Sequence, residues 1–465
     1  MTGLLTDNPL DLSETIVAQA TAPGRGALSI VRLSGPKAHA IARASVDRWP
    51  AEARSVTVSH VRDSSDTEID QSVVIRYDAP ASFTGEDSVE LITHGGLVVA
   101  TTVVAALIAR GARLAKPGEF TRRAVLNGKL DILQAEAAGD LVNAKSRAAQ
   151  GVALRQLDGG LSRRVLALRA ELIGLEALIA YDIDFPEEDD GPIAPARILD
   201  AAERIVTALE QLLATSRTGE LIREGALVVL AGAPNVGKSS LFNALLGEAR
   251  AIVTDIPGTT RDAIEAVIDT PTIPLRLVDT AGIREAFDPV ERLGVEMSES
   301  YVARAAVVLA CADSDDAITR MKDALSRVSA PIVVVRTKAD IDAATDTQLA
   351  ENRVTLNASA AVAVSAETGT GLGPLLSTVA AVAAGSADLQ QVDAPLLTQD
   401  RHRYAVARAL EEVRAFRDRW QSRELPAPVA AVHLREAITT LEDLIGAVDV
   451  EDILDEVFRR FCVGK

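Results

Sequence analysis

The chain has 465 residues, of which 48% are hydrophobic, enough for about two to four packed domains and too many for general disorder. Its 66 acidic residues outnumber 48 lysines and arginines, and the net charge of −18 argues against a broad nucleic-acid-coating surface. Two cysteines, Cys311 and Cys462, form no disulfide framework and indicate a reducing compartment. Because we recognise no secretory signal and no apolar run near the roughly 20 residues of a membrane span, we predict a cytoplasmic protein without membrane association.

Two groups of cations interrupt this acidic composition. The first comprises Arg113, Lys116, Arg122, Arg123 and Lys129, and the second comprises Lys145, Arg147, Arg155, Arg163 and Arg164. A phosphate backbone requires clustered Lys and Arg, so either group could form a local basic face. The alternative for each member is an ordinary position on a solvated helix surface.

The apolar pattern predicts an N-terminal α+β domain over residues 1–126. Its short β-rich runs, separated by Gly, Pro and Asp turn signals, are residues 15–19, 28–33, 73–77 and 89–93. From residue 127 to 222 apolar side chains recur at helical spacing instead. The clearest helical stretches, 161–179 and 202–213, flank a turn-rich acidic segment at 184–195.

Residues 223–384 return to an α/β pattern. Apolar runs at 227–231, 275–278, 307–310 and 332–335 alternate with helix-like segments, which is typical of a doubly wound, mostly parallel sheet. Helical spacing resumes after Gly385, at 401–420 and 432–461. The sequence therefore predicts a multi-domain α/β and α protein, in which a Ras-like α/β domain is inserted into a discontinuous helical domain (127–222 and 385–465).

A phosphate-binding loop follows the first strand of the inserted domain. Residues 232–239, Gly-Ala-Pro-Asn-Val-Gly-Lys-Ser, fit the P-loop pattern G-x-x-x-x-G-K-[ST]. Backbone N–H groups of such a loop wrap phosphates, and the following helix N-terminus adds partial positive charge. Lys238 would neutralise the β- and γ-phosphates of a nucleotide, and Ser239 would offer its hydroxyl to Mg²⁺.

Two polar motifs follow in the order that a GTPase requires. Residues 258–262 are Gly-Thr-Thr-Arg-Asp, and Thr260 can complete the Mg²⁺ shell. Residues 279–282 are Asp-Thr-Ala-Gly at the end of a strand, which brings Asp279 near the metal and the Gly282 N–H near the γ-phosphate.

A third motif can read the base. Residues 337–340 are Thr-Lys-Ala-Asp, and Asp340 can accept from two adjacent N–H donors that guanine has and adenine lacks. Ser365 and Ala366 would close the base pocket. The full set predicted to bind GTP is Asn235, Val236, Gly237, Lys238, Ser239, Ser240, Thr254, Asp255, Ile256, Pro257, Gly258, Thr259, Thr260, Asp279, Thr280, Ala281, Gly282, Thr337, Lys338, Asp340, Ser365, Ala366 and Glu367.

Two positions depart from the usual GTPase pattern. Ile283 stands where Ras-like proteins place the glutamine that orients the attacking water, so another residue must position this water. Thr337 stands where asparagine usually ties the base loop to the P-loop, and a weaker tie would lower nucleotide affinity.

With these motifs, nearly the whole chain resembles the MnmE (TrmE) family of tRNA uridine-modification GTPases, in the TrmE-Era-EngA-like superfamily. Within the inserted domain the resemblance rests on Asn235 and on residues 252–262, Ile-Val-Thr-Asp-Ile-Pro-Gly-Thr-Thr-Arg-Asp. The matching runs elsewhere are Gly24-Arg25-Gly26, Arg32-Leu33-Ser34-Gly35, His94-Gly95-Gly96, residues 82–87, 116–120, 127–131 and 184–188, and the C-terminal Phe461-Cys462-Val463-Gly464-Lys465. The last run carries Val463 where the family commonly has isoleucine.

The resemblance implies potassium-activated GTP hydrolysis when two G domains meet face to face. The K⁺ ion would be held by the Asn235 side chain, the carbonyls of Thr254 and Ile256, and Thr259. Glu291 matches the family residue that orients the water, with an ordinary surface carboxylate as its alternative, and Arg284 matches a switch arginine. The four predicted catalytic residues are Glu291, Lys238, Arg284 and Cys462.

The resemblance also implies that the N-terminal domain binds a one-carbon tetrahydrofolate, 5-formyl or 5,10-methylene, and forms a constitutive homodimer. Glu90 is the matching carboxylate for the adjacent N–H donors of a pterin, and Arg32, Lys129 and Lys465 are the matching cations. Without the resemblance all four are ordinary surface charges. Cys462, near Arg459 and Arg460, is either a reactive thiol or a packing residue.

Two functions remain open from the sequence. In the first, the enzyme and an FAD-dependent MnmG (GidA)-like partner, in a heterotetramer or larger complex, install an aminomethyl or carboxymethylaminomethyl group on the wobble uridine of certain tRNAs. In the second, the protein is a GTP-dependent RNA or ribosome-assembly switch like Era or EngA, without modification chemistry. The acidic helical region after Gly385 lacks a basic Gly-x-x-Gly module, which argues against the second.

Overall fold

A computed structural model of the chain describes residues 12–184, 194–248, 265–279, 301–385, 394–422, 427–446 and 464. The chain divides into two compact units, Met1–Gly139 with Glu442–Lys465, and Asp140–Leu441. The multi-domain α/β and α class is confirmed, while the predicted domain borders stay predictions. Among the described residues, no helix has the length and apolarity to cross a membrane.

The first unit is built on a six-stranded sheet with the order β3-β4-β5-β2-β1-β6. Its strands are β1 (Ile16–Gln19), β2 (Leu28–Ser34), β3 (Val56–Arg62), β4 (Glu68–Tyr77), β5 (Ser88–His94) and β6 (Arg113–Leu114). Neighbours are antiparallel except β1 and β6, which are parallel. All the runs predicted as strands are confirmed; β3 and the two-residue β6 were missed.

The two faces of this sheet carry different side chains. Its helices are α1 (Ala38–Arg43), α2 (Val99–Ala109) and α3 (Glu119–Leu126). Val31 and Leu33 of β2 belong to one core with Val103 and Leu107 of α2. Because side chains alternate along a strand, Arg32 between them points to the opposite face.

Where it is described, the helical segment before the inserted domain forms α4 (Ile132–Asn143), α5 (Arg147–Leu157), α6 (Gly160–Asp184), α7 (Pro195–Ala214) and α8 (Ser216–Glu224). In α6 the residues predicted from their spacing, Leu161, Val165 and Leu168, are almost fully buried. The predicted amphipathic face of this helix is thus its packing face.

The inserted domain has a six-stranded sheet with the order β12-β11-β10-β7-β9-β8, parallel except for the β8–β9 pair. Its strands are β7 (Ala226–Ala231), β8 (Glu265–Ile268), β9 (Leu275–Asp279), β10 (Val307–Ala312), β11 (Ile332–Arg336) and β12 (Ala360–Ala363), and its helices α9 (Lys238–Glu248), α10 (Asp315–Leu325), α11 (Asp346–Thr355) and α12 (Leu372–Ala384). Since β7 lies between β9 and β10, strand order reverses there. Ligands of doubly wound sheets bind at the carboxyl ends of strands at such a point.

The described residues after the insertion form the helices α13 (Asp400–Ser422) and α14 (Ala427–Ile445). They confirm the prediction at 401–420 and the first part of that at 432–461, whose residues 447–461 lie outside the described part of the chain. Helix α13 packs along α7, so segments on both sides of the insertion form one helical bundle.

Both connections to the inserted domain are tied to α4. Asp140 accepts a hydrogen bond from Arg223 Nε of α8 at 2.9 Å and from Gln399 Nε2 at 3.3 Å. Arg223 precedes the first strand of the insertion, and Gln399 lies after its last helix. One carboxylate therefore holds the incoming and outgoing segments.

Candidate functional site

The P-loop joins β7 to α9 in a conformation that points its lysine inward. Lys238 Nζ donates to the carbonyl oxygens of Gly232 and Ala233, both at 2.9 Å. Asn235 and Gly237 have φ of 63° and 93°, in the left-handed region. Such a loop turns backbone N–H groups towards an anion, and the buried ammonium adds a full charge.

Glycine is required at position 232 by a close backbone approach. A Cβ added to Gly232 would collide with the carbonyl oxygen of Cys311 on β10. Cys311 is fully buried, and this burial raises the pKa of its thiol to about 12. This thiol is therefore a packing group rather than a nucleophile.

Ser239 and Asp279 meet at the end of the central strands. Ser239 Oγ donates to Asp279 Oδ2 at 2.8 Å, although the two residues lie in different motifs. A hydroxyl and a carboxylate at this separation can share the coordination shell of Mg²⁺, which takes oxygen ligands. Both residues were predicted from the sequence, and the structure brings them together.

The base loop is joined to the P-loop through Thr337. Its hydroxyl donates to the carbonyl oxygen of Val236 at 2.6 Å, and the Ala312 carbonyl oxygen lies 3.2 Å away. The side chain is buried. Thr337 thus joins the base loop to the P-loop, as asparagine usually does at this position. The effect of the threonine on nucleotide affinity stays a prediction.

Asp340 is oriented by the predicted closing residue of the base pocket. Ser365 Oγ donates to Asp340 Oδ1 at 2.6 Å and accepts from Thr368 N at 3.1 Å. Among the described residues no hydrogen bond reaches Asp340 Oδ2, and the side chain is exposed. Ala366 and Glu367 follow Ser365 in the same loop. The carboxylate is therefore held in place with an oxygen available to a ligand.

Asp313 is a residue of this loop region that sequence reasoning missed. Lys338 Nζ forms an ion pair with Asp313 Oδ2 at 2.8 Å, and this hydrogen bond holds the pKa of Asp313 below its usual range. Asp313 directly follows β10. Its position at a strand end was the one signal in the sequence, and that signal alone does not separate it from a turn residue.

Several predicted site residues lie outside the described residues. They are Thr254, Asp255, Ile256, Pro257, Gly258, Thr259, Thr260, Thr280, Ala281, Gly282, Arg284, Glu291, Cys462 and Lys465.

A second polar cluster lies on the first unit's sheet, on the face opposite the α2 core. Arg32 of β2 and Glu90 of β5 stand directly opposite in the strand register. Arg32 Nε and one terminal nitrogen donate to Glu90 Oε1 at 3.0 and 2.8 Å. Tyr77 Oη donates to Glu90 Oε2 at 3.2 Å, and burial raises the pKa of Tyr77, with the Glu90 charge adding to the effect.

Aromatic rings and one more predicted cation surround this pair. The Arg32 guanidinium lies 5.3 Å from the ring centre of Phe83 and 5.8 Å from that of Phe120, within cation–π distance. Lys129 packs beside Gly85, which lies in the same loop as Phe83, and donates to the Pro80 carbonyl oxygen at 3.1 Å. Arg32, Glu90 and Lys129 are thus gathered around residues 80–85, whereas Tyr77 was missed.

Gly464 lies against the same sheet. It is buried with φ 102°, and a Cβ there would collide with the carbonyl oxygen of Gln19. Gln19 pairs with Val31, next to Arg32. Gly464 therefore lies close to the strand pair that carries Arg32.

Two members of the first group of cations, Arg113 and Arg123, do not contribute to a basic face, and that interpretation is wrong for them. Arg123 is fully buried and paired with Glu86 and Glu119, and Arg113 is paired with Glu14 and Glu119. Glu119 lies within the same segment, four residues before Arg123, whereas Glu14 and Glu86 come from distant parts of the sequence. Spacing within residues 113–129 does not reveal these two distant partners.

A P-loop at the central strand of a mostly parallel sheet, joined to a guanine-type base motif, defines a P-loop GTPase. The family model described as "MnmE helical domain" matches residues 132–462, and that described as "GTP-binding protein TrmE N-terminus" matches residues 15–129. The chain belongs to the MnmE family of tRNA modification GTPases. It is a GTP-binding enzyme involved in tRNA modification.

Relatives named tRNA modification GTPase MnmE extend over nearly the full chain. That of Azoarcus sp. is 42% identical and covers 97% of this chain and 98% of its own; that of Heliobacterium modesticaldum is 41% identical and covers 98% and 100%. That of Aquifex aeolicus is 39% identical with coverage of 98% and 100%. Among solved structures, the G domain of the T. maritima FeoB iron transporter is 26% identical over 34% of this chain and 98% of its own, with a TM-score of 0.27.

Proposed function

We propose that this enzyme is a potassium-activated GTPase which, with an FAD-dependent MnmG-like partner, adds an aminomethyl or carboxymethylaminomethyl group to C5 of the wobble uridine of certain tRNAs. Tetrahydrofolate supplies the one-carbon unit. The observation that carries the proposal is the joint presence, in a chain of the MnmE family, of a GTPase site and the Arg32–Glu90 cluster, with Gly464 packed against the same sheet. The GTPase site alone would also fit an Era-like or EngA-like switch, but the Arg32–Glu90 cluster gives that alternative no support.

GTP hydrolysis is assigned to the P-loop and the strand ends around it. Lys238 neutralises charge on the β- and γ-phosphates, and Ser239, Thr260 and Asp279 surround Mg²⁺, which supplies electrostatic stabilisation when bound. The hydrogen bond between Ser239 and Asp279 supports this grouping, because it places two hard oxygen ligands side by side. Asp340 selects guanine, supported by its anchoring on Ser365.

Potassium activation is assigned to Asn235, Thr259 and the carbonyls of Thr254 and Ile256. Asn235 lies in the described P-loop with φ 63°, a left-handed conformation in which asparagine is more common than most residues. Glu291 orients the attacking water and Arg284 acts in the same switch region. These assignments rest on the family.

The folate site is assigned to Glu90, Arg32, Lys129 and Lys465. Both oxygens of Glu90 already accept hydrogen bonds, from Arg32 and Tyr77, so this carboxylate has the geometry to accept from paired N–H donors of a pterin. Arg32 would then turn to the polar part of the cofactor. The position of Gly464 supports the role of Lys465, which follows it in the chain.

The proposed assembly is a homodimer through the N-terminal domain, joined by the MnmG-like partner in a heterotetramer or larger complex in the cytoplasm. Cys462 is proposed as a reactive thiol. The domains are proposed as residues 1–126, the helical parts 127–222 and 385–465, and the G domain 223–384.

The first experiment compares GTP hydrolysis in potassium and sodium buffers at matched ionic strength, for the wild type and Asn235→Ala. We expect strong stimulation by potassium only, lost in the variant. Equal rates in both salts would refute the proposed K⁺ site. Mass spectrometry of wobble uridines from cells that lack the gene tests the modification, and fully modified uridines would refute it.

Glu90→Gln tests the folate assignment independently. It retains the shape of the side chain but replaces one acceptor oxygen with a donor. We expect binding of 5-formyl-tetrahydrofolate to fall at least tenfold while potassium-stimulated GTP hydrolysis is unchanged. Unchanged folate affinity would move the pterin contact away from Glu90.

A further inference from the structure

We propose that the second group of cations, on helices α5 and α6, contacts the phosphate backbone of the tRNA. We name Lys145, Arg147, Arg155, Arg163 and Arg164 the α5–α6 cation surface. The inference deepens the proposed function, since it assigns a surface to the RNA, and it requires that the enzyme itself touches its tRNA.

The local charge of this segment is opposite to that of the chain. Residues 145–170 contain six lysines and arginines and a single acid, Asp158, whereas the whole chain has a net charge of −18. An isolated positive region on an acidic protein attracts a polyanion to one place and repels it elsewhere. The segment therefore gives RNA a preferred point of approach.

Four of these cations have no acidic partner within the part of the chain that the structure describes. Among the described residues, Lys145, Arg147, Arg163 and Arg164 form no salt bridge, whereas Arg113, Arg123 and Arg223 are each paired with carboxylates. Arg147 and Arg163 are exposed, and Lys145 and Arg164 are half-buried. Arg147 and Arg163 are thus accessible to phosphates.

The geometry of α5 concentrates charge at its N-terminal end. Arg147, Gly151 and Arg155 are spaced by four residues and share one face of the helix. An Arg155 terminal nitrogen lies 3.5 Å from the position of a Cβ on Gly151, so this guanidinium is folded back towards Arg147. A turn of helix rises about 5.4 Å, which brings the two cationic groups within reach of neighbouring phosphates.

The ends of the two helices hold the remaining groups. Ser146 caps α5 by accepting from Ala149 N at 3.1 Å, and the helix N-terminus adds partial positive charge beside Lys145 and Arg147. Arg163 donates to the Asp158 carbonyl oxygen at 2.6 Å, which holds its guanidinium at the turn between the helices. The Arg147 backbone N–H lies 3.5 Å from Asp269 Oδ2 of the insertion.

The chemistry of the segment favours phosphate contact over base reading. Residues 145–170 contain no aromatic side chain on which a base could stack. Arginine forms two hydrogen bonds with one phosphate. The surface should therefore position the tRNA without reading its sequence.

The test measures binding of unmodified tRNA to the full-length triple variant Arg147→Gln, Arg163→Gln, Arg164→Gln over a range of salt concentrations. We expect the dissociation constant to rise roughly tenfold or more, and the slope of log K against log salt to fall by about two to three. GTP hydrolysis and melting temperature should be unchanged. In turnover with the partner, KM for tRNA should rise without a matching loss of kcat.

The matched control removes three other exposed arginines without an ion pair among the described residues, by Arg197→Gln, Arg204→Gln, Arg320→Gln. It has the same net charge as the test variant and should bind tRNA nearly as the wild type does. Equal losses in both variants would show a net-charge effect and overturn the proposal. Normal tRNA binding by the test variant would also overturn the proposal. This holds even if the variant no longer binds its protein partner. If wobble uridines are never modified, the proposed function fails instead, and the binding comparison still decides this surface.

Discussion

The hydroxyl of Thr337 donates to the backbone carbonyl of Val236 over 2.6 Å, joining the loop that reads the base to the loop that holds the phosphates. The two residues are 101 positions apart in the sequence. A short side chain suffices because β7 and β10 are adjacent parallel strands and Thr337 also donates its backbone N–H to Ala312 on β10 at 2.9 Å. The two halves of the nucleotide site are therefore one hydrogen-bonded structure.

Thr337→Val removes this bond without changing the size of the side chain. The buried carbonyl of Val236 loses a donor, which costs about 1–3 kcal/mol, and we expect GTP affinity to fall by about tenfold. Titration with a fluorescent GTP analogue measures the change. Thr337→Ser retains the hydroxyl and should remain within a few-fold of the wild type; equal affinity of the Val variant would mean that the tie does not support nucleotide binding.

Ser239→Ala should raise the Mg²⁺ concentration needed for half-maximal GTP hydrolysis by about tenfold, because it deletes one proposed metal ligand and the hydrogen bond to Asp279. Steady-state rates at varied Mg²⁺ and saturating GTP measure this shift. Ser239→Thr keeps an oxygen at the same place and should restore most of the affinity. If the Ala variant needs the same Mg²⁺ concentration as the wild type, Ser239 is not a ligand of the metal.

The sequence predicted those parts of the fold whose signals are local. Strand β7 was found because a parallel strand buried on both faces is a continuous apolar run, whereas β12, with Ala-Ala-Val-Ala, is too short and weakly apolar to stand out. The P-loop and the base motif were found because their chemistry needs fixed residue types at fixed spacing.

Partners far apart in the sequence escaped prediction. Arg123 was grouped with its cationic neighbours, but the fold buries it against Glu86, 37 residues away. Tyr77 and Glu90 are brought together by the antiparallel pairing of β4 and β5. Such contacts depend on strand register, which no local pattern in this chain determined.

Glu119 should make the first unit sensitive to acid. Burial alone would raise the pKa of this carboxyl, but hydrogen bonds from Arg113 and the Lys116 N–H, with the charges of Arg113 and Arg123, hold it below its usual range. The folded state then binds fewer protons than the unfolded state, so stability is present above the unfolded pKa of about 4.3 and is lost as pH falls below it.

We expect Glu119→Gln to lower the free energy of unfolding at neutral pH by about 3–5 kcal/mol, because it leaves buried Arg123 with one charge partner fewer, and to flatten the loss of stability below about pH 4. Hydrogen exchange of β1 and β6 against pH measures both effects. Glu14→Gln is the control, since Glu14 pairs with Arg113 from an exposed position and should cost at most about 1 kcal/mol. Equal effects of the two variants would contradict the role given to burial.

Asp140→Asn should loosen both segments that lead into and out of the inserted domain. The carboxylate accepts from Arg223 and Gln399, and its side chain is only 16% exposed, so the loss of charge leaves Arg223 poorly paired. We expect a loss of about 1–3 kcal/mol in stability and faster hydrogen exchange in α8 and residues 394–399. The GTP-hydrolysis rate should stay near that of the wild type, because among the described residues no hydrogen bond joins Asp140, Arg223 or Gln399 to the P-loop or the base loop. The amount of tRNA modified per GTP hydrolysed should fall if the junction transmits movement.

Gln399→Leu removes the weaker bond and should give a smaller effect in the same direction. Unchanged exchange in both variants would show that the insertion is held by apolar packing, in the core cluster that contains Ala149 of α5 and Ala226 of β7, rather than by this carboxylate.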